Sequence, residues 1–348
     1  MCSPRYFDLL KILYGVQGTG NGHIARTRAL LPYLRRTDVE IDFVFSGRKK
    51  ENYFDMDEFG EYKVFTGLTF VTENGSLKPF RTVKQNNFLE LIKNIRSLDL
   101  KTYDLVISDF EPITAWAAKI KGCPSISLSH QSAFFYDVPK VGGNFISKLI
   151  MRIFSPGDYK LGFHYHHFNQ PVLPPLIRRV RPAKHSNDKI VVYMGFESIE
   201  EIIELLKPFK EIQFEIFANT KFQQKLHNIT INPISVEKFH HELKYCKGVI
   251  ANAGFELSSE CLMYGKKMLL KPLTGQYEQL CNLKALKKLN KATIMTSLDK
   301  QVIKSWLEQP EGKPIAFPDT AEYVANWIID PKRCSVEELS RKVWSQIS

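Results

Sequence analysis

Residues 248–282 combine an apolar run, a glycine turn, a stretch with helical spacing, a glycine stop and a second apolar run. The two apolar runs predict buried strands, and the stretch between them predicts a helix that begins after Gly254 and ends at Gly265. Strand, helix and strand in this order predict a βαβ unit of an α/β protein. The turn at Gly254 would leave backbone N–H groups free at a helix N-terminus, where anions bind.

Three polar side chains of this unit match the needs of a nucleotide-sugar. Glu260 lies in the predicted helix, and Glu278 and Gln279 follow the second strand. With the anion site, they would supply partners for phosphate and for sugar hydroxyls. The alternative is an ordinary βαβ unit in which Glu260 is merely solvated, and the pattern alone leaves both interpretations open.

The same alternation of strands and helices runs along most of the chain. In the first half, apolar runs predict strands at residues 8–16, 41–45, 62–71, 105–107, 125–128 and 161–168. After residue 188 they predict strands at residues 189–194, 214–218, 229–234, 249–251, 267–272 and 292–296. This alternation predicts an α/β fold with two doubly wound, Rossmann-like domains that face each other across a cleft. Ligands of such sheets lie beyond the carboxyl ends of the strands, which places the site in the cleft.

A proline-rich stretch separates the two halves. Prolines are excluded from central strands and from helix interiors, so residues 171–188 are the predicted linker. The predicted parts are a first domain at 1–170, this linker, a second domain at 189–316 and a C-terminal helical segment at 317–348.

The charge balance favours an anionic partner. The chain has 48 basic and 37 acidic residues and a net charge of +11. Such an excess attracts phosphorylated substrates, nucleic acid or an anionic membrane surface. The basic residues are spread along the chain without a nucleic-acid-binding signature, so nucleic acid is not an expected partner.

Cysteine spacing and hydropathy predict a cytoplasmic protein. The six cysteines form no CxxC pair, which is typical of reduced thiols rather than of a disulfide or zinc framework. No apolar run reaches the roughly 20 residues that span a membrane, and the N-terminus lacks a secretory pattern. Residues 144–160 have an apolar face with basic residues nearby. That face would suit an anionic membrane surface, at the inner face of the membrane, or packing on the protein's own sheet.

Three glycines and a histidine follow the first predicted strand. Gly18, Gly20 and Gly22 permit close approach of a ligand, but their spacing differs from the dinucleotide fingerprint GxGxxG. The second strand ends in residues 46–48, Ser-Gly-Arg, without the acidic residue that would bind an adenosine ribose. A nicotinamide-dependent enzyme is therefore disfavoured. His23 opens the next helix, either as a functional residue or as an ordinary residue at a helix start.

A second polar group follows the fourth and fifth predicted strands. Asp109 and Glu111 come after the fourth strand, and His130 comes after the fifth. A carboxylate beside a histidine orients the imidazole as a general base. The alternative is that Asp109 only caps the helix that starts near Pro112.

No metal site is expected. Asp55 and Asp57 form the only DxD pattern, and their charged surroundings predict a solvated loop. His164, His166 and His167 follow a strand-like alternation, with no cysteine or carboxylate spaced to complete a site.

Four motifs together resemble the GT-B glycosyltransferases, and within them the bacterial group similar to MurG, an N-acetylglucosaminyltransferase. They are GTGNGH at 18–23, SDFEP at 108–112, GFELSSE at 254–260 and GQYEQ at 275–279. The resemblance covers nearly the whole chain in layout and is specific at residues 252–282. It implies transfer of a hexosyl or N-acetylhexosaminyl group from a UDP-sugar to an acceptor hydroxyl, with inversion and without a metal or another cofactor.

The resemblance also implies residue roles. Backbone N–H groups near Gly254 would hold the donor pyrophosphate, Glu260 would bind both ribose hydroxyls, and Glu278 and Gln279 would hold the donor sugar. The implied donor-binding residues are Gly20, Asn21, Gly22, Met194, Gly195, Phe196, Val236, Asn252, Gly254, Phe255, Glu256, Glu260, Glu278 and Gln279. The implied base and its orienting carboxylate are His23 and Asp109, and His130 is the reserve candidate for catalysis.

Two departures from the MurG group concern the acceptor. Residues 108–110 replace a glycine-rich segment, and residues 129–131 are Ser-His-Gln where the group has His-Glu-Gln. The acceptor is therefore left open, as a lipid-linked molecule or a saccharide. Two alternatives to a transferase remain: a nucleotide-sugar 2-epimerase of the same fold, and a catalytically inactive sugar-nucleotide-binding scaffold.

Overall fold

Two largely parallel sheets organise the computed structural model, which describes residues 9–69, 71–73, 75–142, 153–178 and 188–347. The strands of the first half are β1 (Leu10–Gln17), β2 (Val39–Ser46), β3 (Tyr62–Phe65), β4 (Thr72–Glu73), β5 (Ser76–Leu77), β6 (Leu105–Asp109), β7 (Ser125–Ser129) and β8 (Tyr159–Gly162). Six of them form a parallel sheet in the order β3-β2-β1-β6-β7-β8, and β4 and β5 form a separate antiparallel hairpin.

The second half forms a seven-stranded sheet. Its strands are β9 (Lys189–Tyr193), β10 (Gln213–Ala218), β11 (Gln224–Leu226), β12 (Ile229–Pro233), β13 (Gly248–Asn252), β14 (Lys267–Lys271) and β15 (Thr293–Ile294). Their order is β11-β12-β10-β9-β13-β14-β15, and only β11 runs antiparallel to its neighbour.

Helices connect the strands and cover the sheets. In the described ranges the α-helices are α1 (Asn21–Leu34), α2 (Pro79–Gln85), α3 (Phe88–Ser97), α4 (Pro112–Lys121), α5 (Ile199–Leu206), α6 (Val236–Tyr245), α7 (Phe255–Tyr264), α8 (Tyr277–Lys288), α9 (Lys300–Leu307), α10 (Thr320–Ile329) and α11 (Val336–Trp344). The central strands β6, β7, β13 and β14 are buried along their whole length, as expected when helices pack on both faces of a parallel sheet. The prediction of two Rossmann-like α/β sheets is confirmed.

Three predicted strands are clearly shorter than expected, and of the one predicted at 292–296 only Thr293–Ile294 forms a strand. The strand predicted at 62–71 ends at Phe65. The strand predicted at 161–168 ends at Gly162, and the chain then turns away, with positive φ angles of 48° at Phe168 and 59° at Asn169. The alternation of residues 163–168 therefore belongs to a loop. Conversely, α8 was not predicted, and Glu278 and Gln279 lie in its first turn.

Parts of two predictions lie outside the described residues. They are most of the second half of the linker, at 179–187, and most of the amphipathic helix proposed for an anionic membrane surface, at 143–152. No helix in the described ranges is long and apolar enough to cross a bilayer.

The C-terminal helices pack against the first half of the chain. The Tyr33 hydroxyl on α1 donates to Asp319 Oδ2, immediately before α10, at 2.5 Å. Ser340 Oγ and Trp344 Nε1 on α11 donate to the Val172 carbonyl at 2.7 and 2.6 Å. The C-terminal segment therefore packs on α1 and on the chain near Val172.

Candidate active site

His23 lies in the first turn of α1, directly after the glycine loop. Asp109 is the last residue of β6, which pairs with β1. His23 Nδ1 and Asp109 Oδ1 are 2.7 Å apart; the histidine side chain is 15% exposed and the Asp109 side chain is 0% exposed. No described residue hydrogen-bonds the other ring nitrogen, Nε2. The structure thus brings together the predicted histidine and carboxylate and leaves one nitrogen of the ring open.

Arg26 connects this pair to the second sheet. Its Nη1 donates to Asp109 Oδ1 at 2.8 Å, and its Nε donates to Glu256 Oε1 at 2.8 Å. Burial would lower the pKa of the Arg26 guanidinium, but Asp109 and Glu256 outweigh burial and raise it, so the charge is retained. Burial raises the pKa of Glu256, and Arg26 opposes that rise. A Cβ added at Gly22 would lie 3.2 Å from Glu256 Cγ, so the two walls of the cleft meet closely here.

Glu111, not Asp109, caps α4. Its carboxylate accepts the N–H groups of Ile113 and Thr114 at 2.9 and 2.7 Å, and Ser46 Oγ donates to it at 2.7 Å. Burial raises the pKa of Glu111, and these hydrogen bonds oppose the rise. The alternative role for Asp109 as a helix cap is therefore wrong, and Glu111 is occupied by the fold.

The N-terminus of α7 follows Gly254 and has no side-chain cap. No described residue accepts a hydrogen bond from the N–H groups of Phe255, Glu256 and Leu257, which are the unpaired donors of a helix start. A Cβ at Gly254 would meet nothing within 4 Å, so the turn that precedes these donors borders open space. Asn252 ends β13 beside them, and its buried Oδ1 has no partner among the described residues. This is the geometry of an anion-binding site with an additional polar acceptor.

Glu260 lies farther along α7 and is buried, so the interpretation of Glu260 as merely solvated is wrong. Burial raises its pKa to about 8, the Glu256 carboxylate adds to the rise and Arg178 opposes it. Its Oε1 is 3.7 Å from His240 Nδ1. Burial lowers the pKa of His240 to about 4, with Arg178 contributing. Both partners therefore favour their neutral forms near neutral pH.

The loop after β9 borders the same opening. The Met194 side chain is buried in the core, so only its backbone can contact a ligand. Gly195 follows with open space where a Cβ would be, as does Gly20 on the opposite wall, and Phe196 is partly exposed. Asn21 Nδ2 donates to the Tyr193 hydroxyl at 3.1 Å across the cleft.

Val236, at the start of α6, also contacts the first half of the chain. Its N–H donates to Asp55 Oδ2 at 3.1 Å. Asp55 and Asp57 are both exposed, so the predicted solvated loop is confirmed, but Asp55 additionally occupies the N–H of a predicted donor-binding residue.

Glu278 and Gln279 differ in which of their side-chain atoms remain available to a ligand. Gln131 Nε2 donates to Glu278 Oε2 at 2.8 Å, and Glu278 is partly exposed at the cleft. Gln279 is buried, and its Oε1 accepts the Leu273 N–H at 2.7 Å, which leaves its amide nitrogen for another contact.

His130 is not positioned as a base. It is fully buried, with Nδ1 2.7 Å from the Phe163 carbonyl oxygen and Nε2 2.6 Å from Asn282 Oδ1. Its ring stacks on Phe255 at a centroid distance of 3.8 Å. Because both nitrogens already contact oxygen atoms, the reserve catalytic role predicted for His130 does not fit this structure. His130 instead joins the first sheet to α7 and α8.

The three histidines after β8 are engaged by their own loop. Nδ1 of His164, His166 and His167 each accepts a backbone N–H one or two residues later, at 2.9 Å. Within the described ranges no three His, Cys, Asp or Glu side chains come together to form a metal site.

Four residues near the site were missed or given no role by the sequence analysis: Arg26, Arg48, Tyr193 and His240. Arg26 lies three residues after His23, so helical spacing could have placed it on the same face of α1. Arg48 is one of the residues 46–48 that follow the second strand, where the sequence lacks an acidic residue, and its own charge was given no role. Tyr193 and His240 join the site through contacts that only the fold brings about.

Comparison with solved structures shows the same fold over nearly the full chain. Acinetobacter baumannii MurG is 15% identical over 92% of this chain and 99% of its own, with a TM-score of 0.54. The glycosyltransferase SnogD from Streptomyces nogalater is 14% identical over 97% and 96%, with a TM-score of 0.54. Arabidopsis thaliana UGT89C1, solved with UDP, is 11% identical over 97% and 99%, with a TM-score of 0.57.

A comparison with curated protein sequences finds no match. A family model described as glycosyl transferase family 1 matches residues 10–310, most of the chain. The resemblance to GT-B enzymes is thereby confirmed at the level of family and fold. The chain belongs to glycosyl transferase family 1.

Proposed function

We propose that this glycosyltransferase moves a hexosyl or N-acetylhexosaminyl group from a UDP-sugar to an acceptor hydroxyl, with inversion and without a metal ion. The observation that carries the proposal is the His23–Asp109 contact of 2.7 Å, which lies across the cleft from the uncapped N-terminus of α7. A nucleotide-sugar donor is typical of the family, and one structural neighbour, UGT89C1, was solved with UDP.

The proposed chemistry begins at the open nitrogen of His23. The Asp109 carboxylate accepts a hydrogen bond from Nδ1–H and so leaves the lone pair of Nε2 for the acceptor hydroxyl. As Nε2 takes the hydroxyl proton, the acceptor oxygen bonds to the anomeric carbon and the bond from that carbon to the phosphate oxygen breaks. UDP leaves with the bonding electron pair. Asp109 then stabilises the imidazolium that has formed.

The second half of the chain would hold the donor. The N–H groups at the start of α7 would receive the diphosphate, and the positive end of the helix supplies the stabilisation that a metal gives elsewhere. Glu260 would bind the ribose hydroxyls. Glu278 and the amide of Gln279 would contact the sugar.

Calorimetry with UDP and a panel of UDP-sugars tests the donor assignment. Glu260→Ala should weaken binding of both UDP and the UDP-sugar by about 2–4 kcal/mol at pH 8, because ribose hydroxyls that donate to Glu260 favour its carboxylate form and those charge-assisted hydrogen bonds are lost. Glu278→Ala should weaken binding of the UDP-sugar far more than that of UDP. Failure of the wild-type protein to bind UDP or any UDP-sugar would overturn the donor assignment.

A turnover assay in excess EDTA tests the reaction. Release of UDP together with a new glycoside is the expected result. Conversion of the UDP-sugar to an isomer would replace the proposal with the 2-epimerase. Dependence on added magnesium or manganese would overturn the metal-independent mechanism.

A further inference from the structure

Arg48 is a cleft cation without a counter-ion. It follows the carboxyl end of β2, and no carboxylate of a described residue lies within 4 Å of its guanidinium. The side chains that it contacts are uncharged: Nη2 donates to Asn21 Oδ1 at 3.0 Å, and the Tyr53 ring lies 4.4 Å from the guanidinium carbon. Burial lowers the pKa of Arg48; Tyr53 and Tyr193 oppose this fall, and the charge of Arg28 adds to it.

The two arginines of α1 near this region, Arg26 and Arg28, are neutralised. Arg26 contacts Asp109 and Glu256, and Arg28 contacts Glu58. Arg48 instead has a buried Nε with no hydrogen-bond partner among the described residues. A buried, unsatisfied donor on a charged group is costly unless something else accepts from it.

The surroundings of Arg48 face the predicted substrate space. Asn21, which accepts from Arg48, also donates to Tyr193 on the opposite wall. Gly20 precedes Asn21 and Gly195 follows Tyr193 by two residues, and each has open space where a Cβ would be. The unpaired guanidinium is therefore next to an opening lined by both halves of the chain.

We propose that Arg48, with Asn21 and Tyr193, forms a phosphate-binding subsite of the cleft. The guanidinium offers the planar set of donors that phosphate oxygens accept, and the tyrosine and asparagine add neutral partners. The phosphate comes either from the donor diphosphate or from a phosphorylated acceptor. The location of the subsite rests on the proposed function, but the binding of phosphate by Arg48 is testable without it.

Calorimetry with an Arg48 variant and a control variant distinguishes a donor phosphate from an acceptor phosphate at this subsite. Arg48→Met removes the charge and keeps the length of the side chain; Arg48→Gln is used if that variant does not fold. The matched control is Arg36→Met, because Arg36 is exposed and its guanidinium lies 5.0 Å from the Tyr33 ring. UDP is titrated first. Inorganic pyrophosphate is then titrated into free protein and into protein saturated with UDP.

If the phosphate belongs to the donor, Arg48→Met should bind UDP about tenfold to a hundredfold more weakly, while Arg36→Met is unchanged. If it belongs to the acceptor, UDP affinity should be retained, and Arg48→Met should lose the binding of pyrophosphate to UDP-saturated protein. Equal binding of UDP and of pyrophosphate by the wild-type protein and Arg48→Met would overturn the inference. Should the wild-type protein not bind UDP, the proposed donor fails, and pyrophosphate binding to free protein alone decides the role of Arg48.

Discussion

His23 and His130 both follow strand ends on the cleft side, yet their surroundings differ in the two features that a base requires. His23 has one nitrogen on a buried carboxylate and the other nitrogen open. Both ring nitrogens of His130 contact oxygen atoms, no negatively charged side chain is in direct contact with the ring, and the residue has no exposed surface. Burial lowers the pKa of His130 to about 4, against weaker opposing contributions that include Glu278. A histidine in such a place holds the fold together, whereas the Asp109 carboxylate lies where it would stabilise an imidazolium if His23 abstracts a proton as proposed.

The largest expected effect is on turnover at His23. His23→Ala should lower kcat by about 10²–10⁴-fold, the usual contribution of a general base, and should leave UDP affinity nearly unchanged. Asp109→Asn should cause a smaller loss, because the amide keeps the shape but not the charge beside the ring. Turnover and calorimetry on the same preparations measure both quantities.

The same turnover assay would identify His130 as the base if the two histidines had the opposite effects. If His23→Ala retains near-wild-type turnover and a folded His130 variant does not, the base is His130, and its burial in this structure would have to change during the reaction.

A second prediction concerns stability at His130. His130→Phe keeps a ring stacked on Phe255 but removes the one N–H that a neutral imidazole donates, so either the Phe163 carbonyl or Asn282 Oδ1 loses its donor. The free energy of unfolding should fall by about 1–3 kcal/mol, the cost of leaving a buried polar group unpaired. Urea denaturation measures the change. His241→Phe is the matched control, since His241 is 66% exposed, and it should change stability little. Equal stability of the wild-type protein and His130→Phe would remove the structural role.

Local sequence patterns predicted the two sheets and the residues at their strand ends, because hydrophobic periodicity and glycine positions are local signals. They did not separate His23 from His130. The partner that distinguishes His130 is Asn282, 152 residues away, on a helix that was not predicted. The pairing of Arg26 with Glu256 spans 230 residues and arises only when the two sheets face each other.

At residues 161–168 a local sequence pattern predicted a strand that does not continue beyond Gly162. Alternation of apolar and polar residues is the usual sign of a half-buried strand, and residues 163–168 satisfy it. The structure instead places His164 in the core and uses the imidazoles of His166 and His167 to accept backbone N–H groups of a turn. Side-chain-to-backbone bonds of this kind compete with strand pairing, and periodicity does not record them.

The smallest expected effect is on the pH dependence of stability and concerns the carboxyl group of Glu260. Glu260, like His130, is buried, and burial shifts its pKa against the charged form, here to about 8. The usual carboxyl pKa of about 4.3 describes the unfolded chain, so between these two values the folded protein keeps a proton that the unfolded chain releases. The contribution of Glu260 to stability should therefore fall as pH rises from 5 to 8.

Glu260→Gln isolates this dependence, because an amide is close in shape to a protonated carboxyl and cannot lose the proton. The variant and the wild-type protein should be about equally stable at pH 4. At pH 8 the variant should be more stable by about 1 kcal/mol or somewhat more, with the size limited by water entering the open cleft. Urea denaturation across this range, with exposed Glu200→Gln as the control, measures the difference. If the wild-type protein instead becomes more stable than Glu260→Gln as the pH rises, Glu260 is ionised in the free protein. Burial would then not determine the protonation state of groups in this cleft.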